Sequence, residues 1–151
     1  MTQSDITQAQ AEVRSQLMTA GLIIAPHETI EIADFGLGRW HEEGLGILVR
    51  VNEPEYCSKF LTLKAGQECP LHYHKLKKET FFVLSGEVRL WADGQIAMLT
   101  PGEQFTILPG VKHTFRSLGG AVIEEVSTHD ENSDSYFANP EIVRDPAIAG
   151  D

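Results

Sequence analysis

The apolar positions of this chain change their period near residue 28. Before it, Ile6, Ala9, Val13, Leu17 and Ala20 recur at three- and four-residue intervals, the spacing that lines one face of an α-helix. Ser4 is placed to cap that helix, Asp5 sits in the first turn where the helix dipole favours a carboxylate, and Gly21 can end it. The pattern predicts a helix over 4–20, whose narrow apolar stripe packs on the domain or on a partner subunit. After residue 28 the apolar residues fall into short runs, which predicts strands at 46–52, 57–64, 80–84, 87–92, 104–108, 113–117 and 121–127. Turn residues punctuate them: Asn52–Pro54, Lys64–Gly66, Ser85–Gly86, Asp93–Gly94, Thr100–Gly102, Pro109–Gly110 and Gly119–Gly120. Many short strands at this spacing indicate an all-β sandwich or barrel. After Ser127 the chain turns polar and acidic, and residues 140–151, with two prolines and small terminal residues, read as loosely ordered. The expected organisation is an N-terminal helical segment, 1–27, a barrel, 28–137, and a tail, 138–151.

Composition narrows the function classes. With 151 residues, 42% of them hydrophobic, the chain can build one real core without a disulfide framework. A formal net charge of −10 repels phosphate backbones and anionic membrane surfaces, so neither nucleic acid nor a membrane is an expected partner. No apolar run reaches the roughly 18 residues of a membrane span. The first twenty residues lack a basic n-region, so no secretory signal is expected. Cys57 and Cys69 are then read as reduced thiols, and the protein as cytoplasmic.

The chemistry concentrates in two stretches. In the first, Gly66 to Gly86, His72 and His74 are two apart, so an extended backbone points both imidazoles to one side and Tyr73 to the other. Glu79 opens the apolar run Phe81–Leu84, and a strand there can bring its carboxylate to both rings. Gly66 and Gly86 mark tight turns. In the second stretch, Gly102 to His113, the pattern reads strand, turn, strand, with His113 opening the later strand. Three neutral imidazoles and a carboxylate suit one divalent ion, manganese, iron, cobalt, nickel or zinc, and leave positions open for water or substrate. Taken singly, each residue has a bland reading as a hydrogen-bonded or solvated side chain; the joint spacing carries the weight.

These stretches resemble the two motifs of the cupin superfamily. Gly66, His72, His74, Glu79 and Gly86 match every position of the first motif, and Gly102, Gly110 and His113 fall at the spacing of the second. Pro109 stands one place late, and Ser117 stands where the motif often has Asn. The resemblance implies a jelly-roll barrel with an N-terminal helix, and His72, His74, Glu79 and His113 as the metal ligands. Further segments look like the short D-lyxose isomerases: Asp34–Gly38, Tyr56–Lys59, Gly66–Pro70, Lys77–Phe81 and Glu125–Thr128, followed by Asp134 and Phe137. The stretch between Trp91 and Gly102, which helps wall the pocket in those enzymes, is much shorter here.

The implied reaction is aldose–ketose isomerisation, on D-lyxose/D-xylulose or D-mannose/D-fructose. It needs a metal to polarise the carbonyl and a base to move a proton between adjacent carbons. Alternation along Val122–Val126 puts Glu124 and Glu125 on opposite faces, and Glu125 is the candidate base. Lys59 is the candidate partner of a sugar oxygen. An exposed strand carboxylate and an edge-strand lysine are the structural alternatives for these two. Lys77 matches the family but reads equally as a solvated loop charge. Trp40, His41, Phe82 and Trp91 can stack on a sugar or belong to the core, Cys69 reads as a buried structural thiol, and His27 and His129 are unassigned. An Fe(II) cupin dioxygenase and a non-catalytic sugar-binding cupin are the rival functions. A homodimer is the expected assembly.

Overall fold

The computed structural model describes residues 1–142. Its first element is helix α1, Gln3–Thr19, and Thr2 rather than Ser4 caps it. Thr2 Oγ1 accepts the backbone N–H of Asp5 (3.1 Å), while Asp5 Oδ2 accepts that of Thr2 (2.9 Å). Two otherwise unpaired donors are satisfied reciprocally, which a cap at Ser4 would not achieve. The helix closes as expected at Gly21, whose φ of +100° permits the N–H of Leu22 to reach the carbonyl of Leu17.

The strands are β1 Glu31–Ala33, β2 Leu45–Asn52, β3 Cys57–Leu63, β4 Glu68–His74, β5 Glu79–Gly86, β6 Val88–Ala92, β7 Gln95–Leu99, β8 Gln104–Ile107, β9 His113–Arg116, β10 Ala121–Ser127 and β11 Ser135–Phe137. They form a six-stranded sheet, β1-β2-β3-β10-β5-β8, facing a five-stranded one, β11-β4-β9-β6-β7. The chain passes repeatedly between the sheets, which makes the sandwich a jelly roll. Inner-face side chains, among them Leu61, Leu63, Phe81, Val83, Leu90, Phe115 and Ile123, fill the space between the sheets. Each contributes about 1.5–3 kcal/mol by leaving water.

Helix α1 covers the outer face of the six-stranded sheet. Ala9, Val13 and Leu17 are buried there against Ile30, Ile32, Trp40, Leu48 and Val122. Gly46 makes this possible, because a Cβ on it would strike Thr62 and Val13. Gln16 ties the helix to the sheet by donating to the carbonyls of Leu63 (2.9 Å) and Ala121 (3.1 Å). Gly86 ends β5 with φ +76° where any Cβ would meet the Gly120 carbonyl, so this turn requires glycine on both counts.

Four of the eleven strands among the described residues are outside the ranges expected from the hydrophobic pattern; of these, β4 is expected only as extended backbone at His72 and His74. β1 and β11 have three residues each, too few for a periodic signal. β7 is missed because Ile96 and Met98 face outward and exposed, so its hydrophobic pattern does not mark it as half-buried. It pairs with β6 across the two-residue turn Asp93-Gly94, both at positive φ, as tight hairpins require. The expected looseness from residue 140 does not hold at Ile142, which is buried against the main core. The rest of that tail, residues 143–151, lies outside the described residues.

Candidate active site

At one end of the barrel the core gives way to a cavity of about 110 Å³, room for several water molecules. Strand β4 aims His72 and His74 into it, as alternation predicts, while Tyr73 points outward and stacks on Tyr136 at 5.1 Å. Strand β9 places His113 directly opposite His72 in register. The ring centroids are 4.2 Å apart for His72–His113, 4.9 Å for His72–His74 and 5.5 Å for His74–His113.

The backbone fixes the tautomer of each ring. His72 Nδ1 lies 2.8 Å from the Pro70 carbonyl, His74 Nδ1 3.1 Å from that of Asp134, and His113 Nδ1 2.9 Å from that of Val111. A carbonyl only accepts, so each Nδ1 carries the proton and each Nε2 is left with a bare lone pair. One ligand-capable atom from each of the three residues lies within 4.8 Å of the other two. Burial pushes His72 well below the usual histidine range and His74 down to about 4, with neighbouring positive groups reinforcing the effect, so both rings are neutral near pH 7.

Glu79, at the start of β5, faces this group from the other sheet. Its Oε1 is 3.0 Å from His113 Nε2, and its Oε2 is 3.7 Å from His74 Nε2 and 3.0 Å from Lys77 Nζ. None of these contacts has hydrogen-bonding geometry: Glu79 Oε1, Glu79 Oε2 and His113 Nε2 are buried without a hydrogen bond. Leaving such atoms unpaired is costly, and an ion among them would remove that cost. The donor set of three imidazole nitrogens and one carboxylate fits a first-row divalent metal.

The six-stranded sheet supplies a second, charged group. Glu125 on β10 is buried and lines the cavity, while Glu124 is turned to the outer face. Lys59 on β3 pairs with Glu125 in register and also lines the cavity. Neither takes its structural alternative: Glu125 is not exposed and β3 is not an edge strand. Lys77, between β4 and β5, is buried as well, and its Nζ reaches Glu125 Oε2 (3.3 Å), Asp130 Oδ1 (2.9 Å) and Glu79 Oε2 (3.0 Å). Lys59 Nζ holds the other oxygen of Asp130 at 2.6 Å. Burial opposes charge on all of these groups. The carboxylates of Glu125, Glu79 and Asp130 overcome it at Lys77, which stays protonated. The two lysines overcome it at Asp130, which stays ionised. At Glu125 burial prevails, reinforced by Glu79, and its carboxyl is held above the usual range.

The remaining wall is apolar, with Phe35, Leu45, Ile47, Leu61, Phe81 and Phe137 among its residues. Trp40, His41, Phe82 and Trp91 are not part of it. Trp40 packs beneath α1, His41 is exposed, and strand alternation turns Phe82 and Trp91 away from the inside. Cys69 lines the cavity with its thiol 4.0 Å from His72 Nδ1, and burial pushes that thiol well up, so it is inert. Asp130 is the site residue to which the sequence assigned no role. It sits in a polar run with no local signal, and only the return of that run across the barrel brings it to the lysines. None of residues 91–102 lines the cavity.

Comparison with known proteins places this geometry. The family model described as D-lyxose isomerase matches residues 7–90, and that of the cupin domain matches residues 59–127. The chain is 35% identical to the D-lyxose/D-mannose isomerase of Thermosediminibacter oceani, over 98% of each chain. It is 33% identical to the D-lyxose ketol-isomerase of Cohnella laeviribosi, over 95% of this chain and 96% of that one. The first alignment spans 178 positions against 151 residues here, so the relative carries insertions. Among solved structures, a point mutant of L-ribose isomerase from Acinetobacter sp. DL28 in complex with L-ribose matches with a TM-score of 0.84, covering 94% of each chain at 16% identity, a likeness of fold.

Proposed function

Because the chain belongs to the D-lyxose isomerase family and is a sugar isomerase, we propose that it interconverts an aldose and its ketose, D-lyxose/D-xylulose or D-mannose/D-fructose, with one divalent metal. The observation that carries this reading is the meeting of three Nε2 lone pairs and the Glu79 carboxylate beside a second buried carboxylate, Glu125, in one cavity. His72, His74, Glu79 and His113 hold the metal, manganese by preference. When bound, the metal supplies a Lewis acid that polarises the substrate carbonyl.

The protein's own residues do the rest. Glu125 takes the proton from the carbon beside the carbonyl and returns it to the former carbonyl carbon, by way of an enediol, while the proton of the adjacent hydroxyl passes to the former carbonyl oxygen. Its raised pKa suits a base that must also give the proton back. Lys59 donates to a sugar oxygen while Asp130 holds its ammonium in place. Lys77 keeps Glu79, Glu125 and Asp130 together by sharing its charge among them. The phenyl rings of Phe35 and Phe137, 5.4 Å apart, give the sugar an apolar surface and limit water at that side.

Incubating manganese-loaded protein with D-lyxose and with D-mannose, and following ketose formation, tests the reading. Appearance of D-xylulose or D-fructose supports it, and absence of both sinks it. Oxygen uptake with an organic substrate and strict iron dependence would instead identify a dioxygenase. Binding of sugar without turnover, unaltered in Glu125→Gln, would identify a sugar-binding protein.

A further inference from the structure

The loop between β4 and β5 carries Lys77 into the site, yet little apolar packing holds it. Residues 75–78 are Lys-Leu-Lys-Lys, and Leu76, the one apolar side chain, is 76% exposed. Three lysines in four residues repel one another. Lys75 leans outward over the Tyr136 ring at 4.4 Å, while Lys77 must turn inward. The conformation is fixed from elsewhere, by Asp134.

Asp134 closes the short 3₁₀ turn Asn132–Asp134 and is 6% exposed. Its carboxylate accepts the backbone N–H groups of three successive loop residues. Oδ1 takes Lys75 (2.9 Å) and Leu76 (3.2 Å), and Oδ2 takes Leu76 (3.2 Å) and Lys77 (3.0 Å). Successive amides converging on one anion form a nest, and such charge-assisted bonds are about twice as strong as neutral ones. The same residue's carbonyl receives the Nδ1 proton of His74. Strand β11 continues from it and pairs with β4, placing Ser135 opposite His74 and Phe137 opposite His72.

From this we infer that Asp134 is a positioning residue: it clamps the loop backbone so that the Lys77 ammonium stands between Glu79, Glu125 and Asp130, and through its carbonyl it sets the His74 ring. It touches neither substrate nor metal. The inference rests on the sugar-isomerase reading for its effect on rate, while the clamp itself is a property of the loop.

Asp134→Asn separates these levels. It keeps the volume and one accepting oxygen but replaces the other with an NH₂ group, which cannot accept from a backbone N–H. Asp134→Ala removes all four contacts. Amide exchange read by NMR on metal-free protein should rise about tenfold or more at Lys75, Leu76 and Lys77 in both variants, with the amides of β3 and β10 unchanged. A residue serving stability alone would raise exchange across the barrel. At saturating manganese with D-lyxose, kcat should fall ~10- to 100-fold with KM for the sugar little changed. Unchanged loop exchange in Asp134→Asn overturns the inference, and so does wild-type kcat beside a loosened loop. Should Asp134→Ala fail to fold, Asp134→Asn decides alone. If the wild-type protein converts no aldose, the sugar reading fails, and exchange alone then decides the clamp.

Discussion

The two walls of the cavity are built on different principles. The five-stranded sheet contributes His72 and His74, held neutral by burial, together with His113, and each ring is oriented by a backbone carbonyl close to it. The six-stranded sheet and the segments beside it contribute Glu79, Glu125, Lys59, Lys77 and Asp130, charged groups held mainly by one another. The neutral wall is preorganised by covalent structure and ladder hydrogen bonds, so removing one imidazole leaves its neighbours where they are. The charged wall is cooperative, because taking out one member strands the others in a low-dielectric interior. A metal site needs fixed geometry, which the three imidazoles of the first wall give, with Glu79 reaching them from the second. Proton transfer needs a carboxylate whose charge is finely balanced, which the second wall gives.

The most severe test of this contrast is Glu125→Gln. It preserves shape and leaves the imidazole wall intact, so metal content measured by elemental analysis should equal that of the wild type. Isomerase kcat should fall ~10²- to 10⁴-fold. Loss of metal together with activity would show that the walls are not separable.

Next in size is Lys77→Met, which leaves the buried carboxylates of Glu79, Glu125 and Asp130 without the ammonium they share. Urea unfolding should show a loss of about 3–5 kcal/mol. Lys59→Met should cost less, because Asp130 keeps Lys77. Equal losses would contradict the central place of Lys77.

The neutral wall predicts a pH dependence. Burial holds His74 down to about 4 in the folded protein against 6.5 as its ordinary value, and holds His72 well below the ordinary value too. The unfolded chain therefore binds protons first, and this contribution to stability is complete above pH 6.5 and lost as pH falls towards 4. Glu79 and Asp130, held below the carboxylate range, act in the same direction at lower pH, while Glu125, held above it, opposes. Thermal unfolding of metal-free protein between pH 7 and pH 4 should show a falling Tm, and His74→Gln should flatten the slope.

The smallest effect is expected outside both walls. Phe82→Leu alters the outer face of the six-stranded sheet, so kcat/KM should stay within about twofold of the wild type. A larger change would mean that the outer face communicates with the cavity.

Much of this was written locally in the chain. The helix, seven of the strands and the turns between them follow from hydrophobic spacing and glycine placement, since each depends on residues within a few positions. The His-x-His pair, Glu79 and His113 were legible for the same reason: strand alternation is a local rule, and it also picked Glu125 over Glu124. Ser4 was a poorer cap than Thr2 because the reciprocal bond to Asp5 depends on a three-residue offset. Whether Trp40, Phe82 and Trp91 meet a sugar or the core stayed open in the sequence, because an isolated Trp or Phe does not say which face of a strand meets the interior; Trp40 belongs to the core beneath α1.

What the sequence alone determined is the identity of the converging side chains and the period that turns them inward. Tertiary structure decided which charges share a partner, and that the acidic run after Ser127 folds back as a wall and a clamp. Asp130 reaches Lys59 and Lys77 across 71 and 53 positions of chain, and Asp134 reaches Lys77 across 57. Contacts of that span leave no periodic trace, because they are set by closure of the barrel and by the cost of burying a charge without its counter-charge.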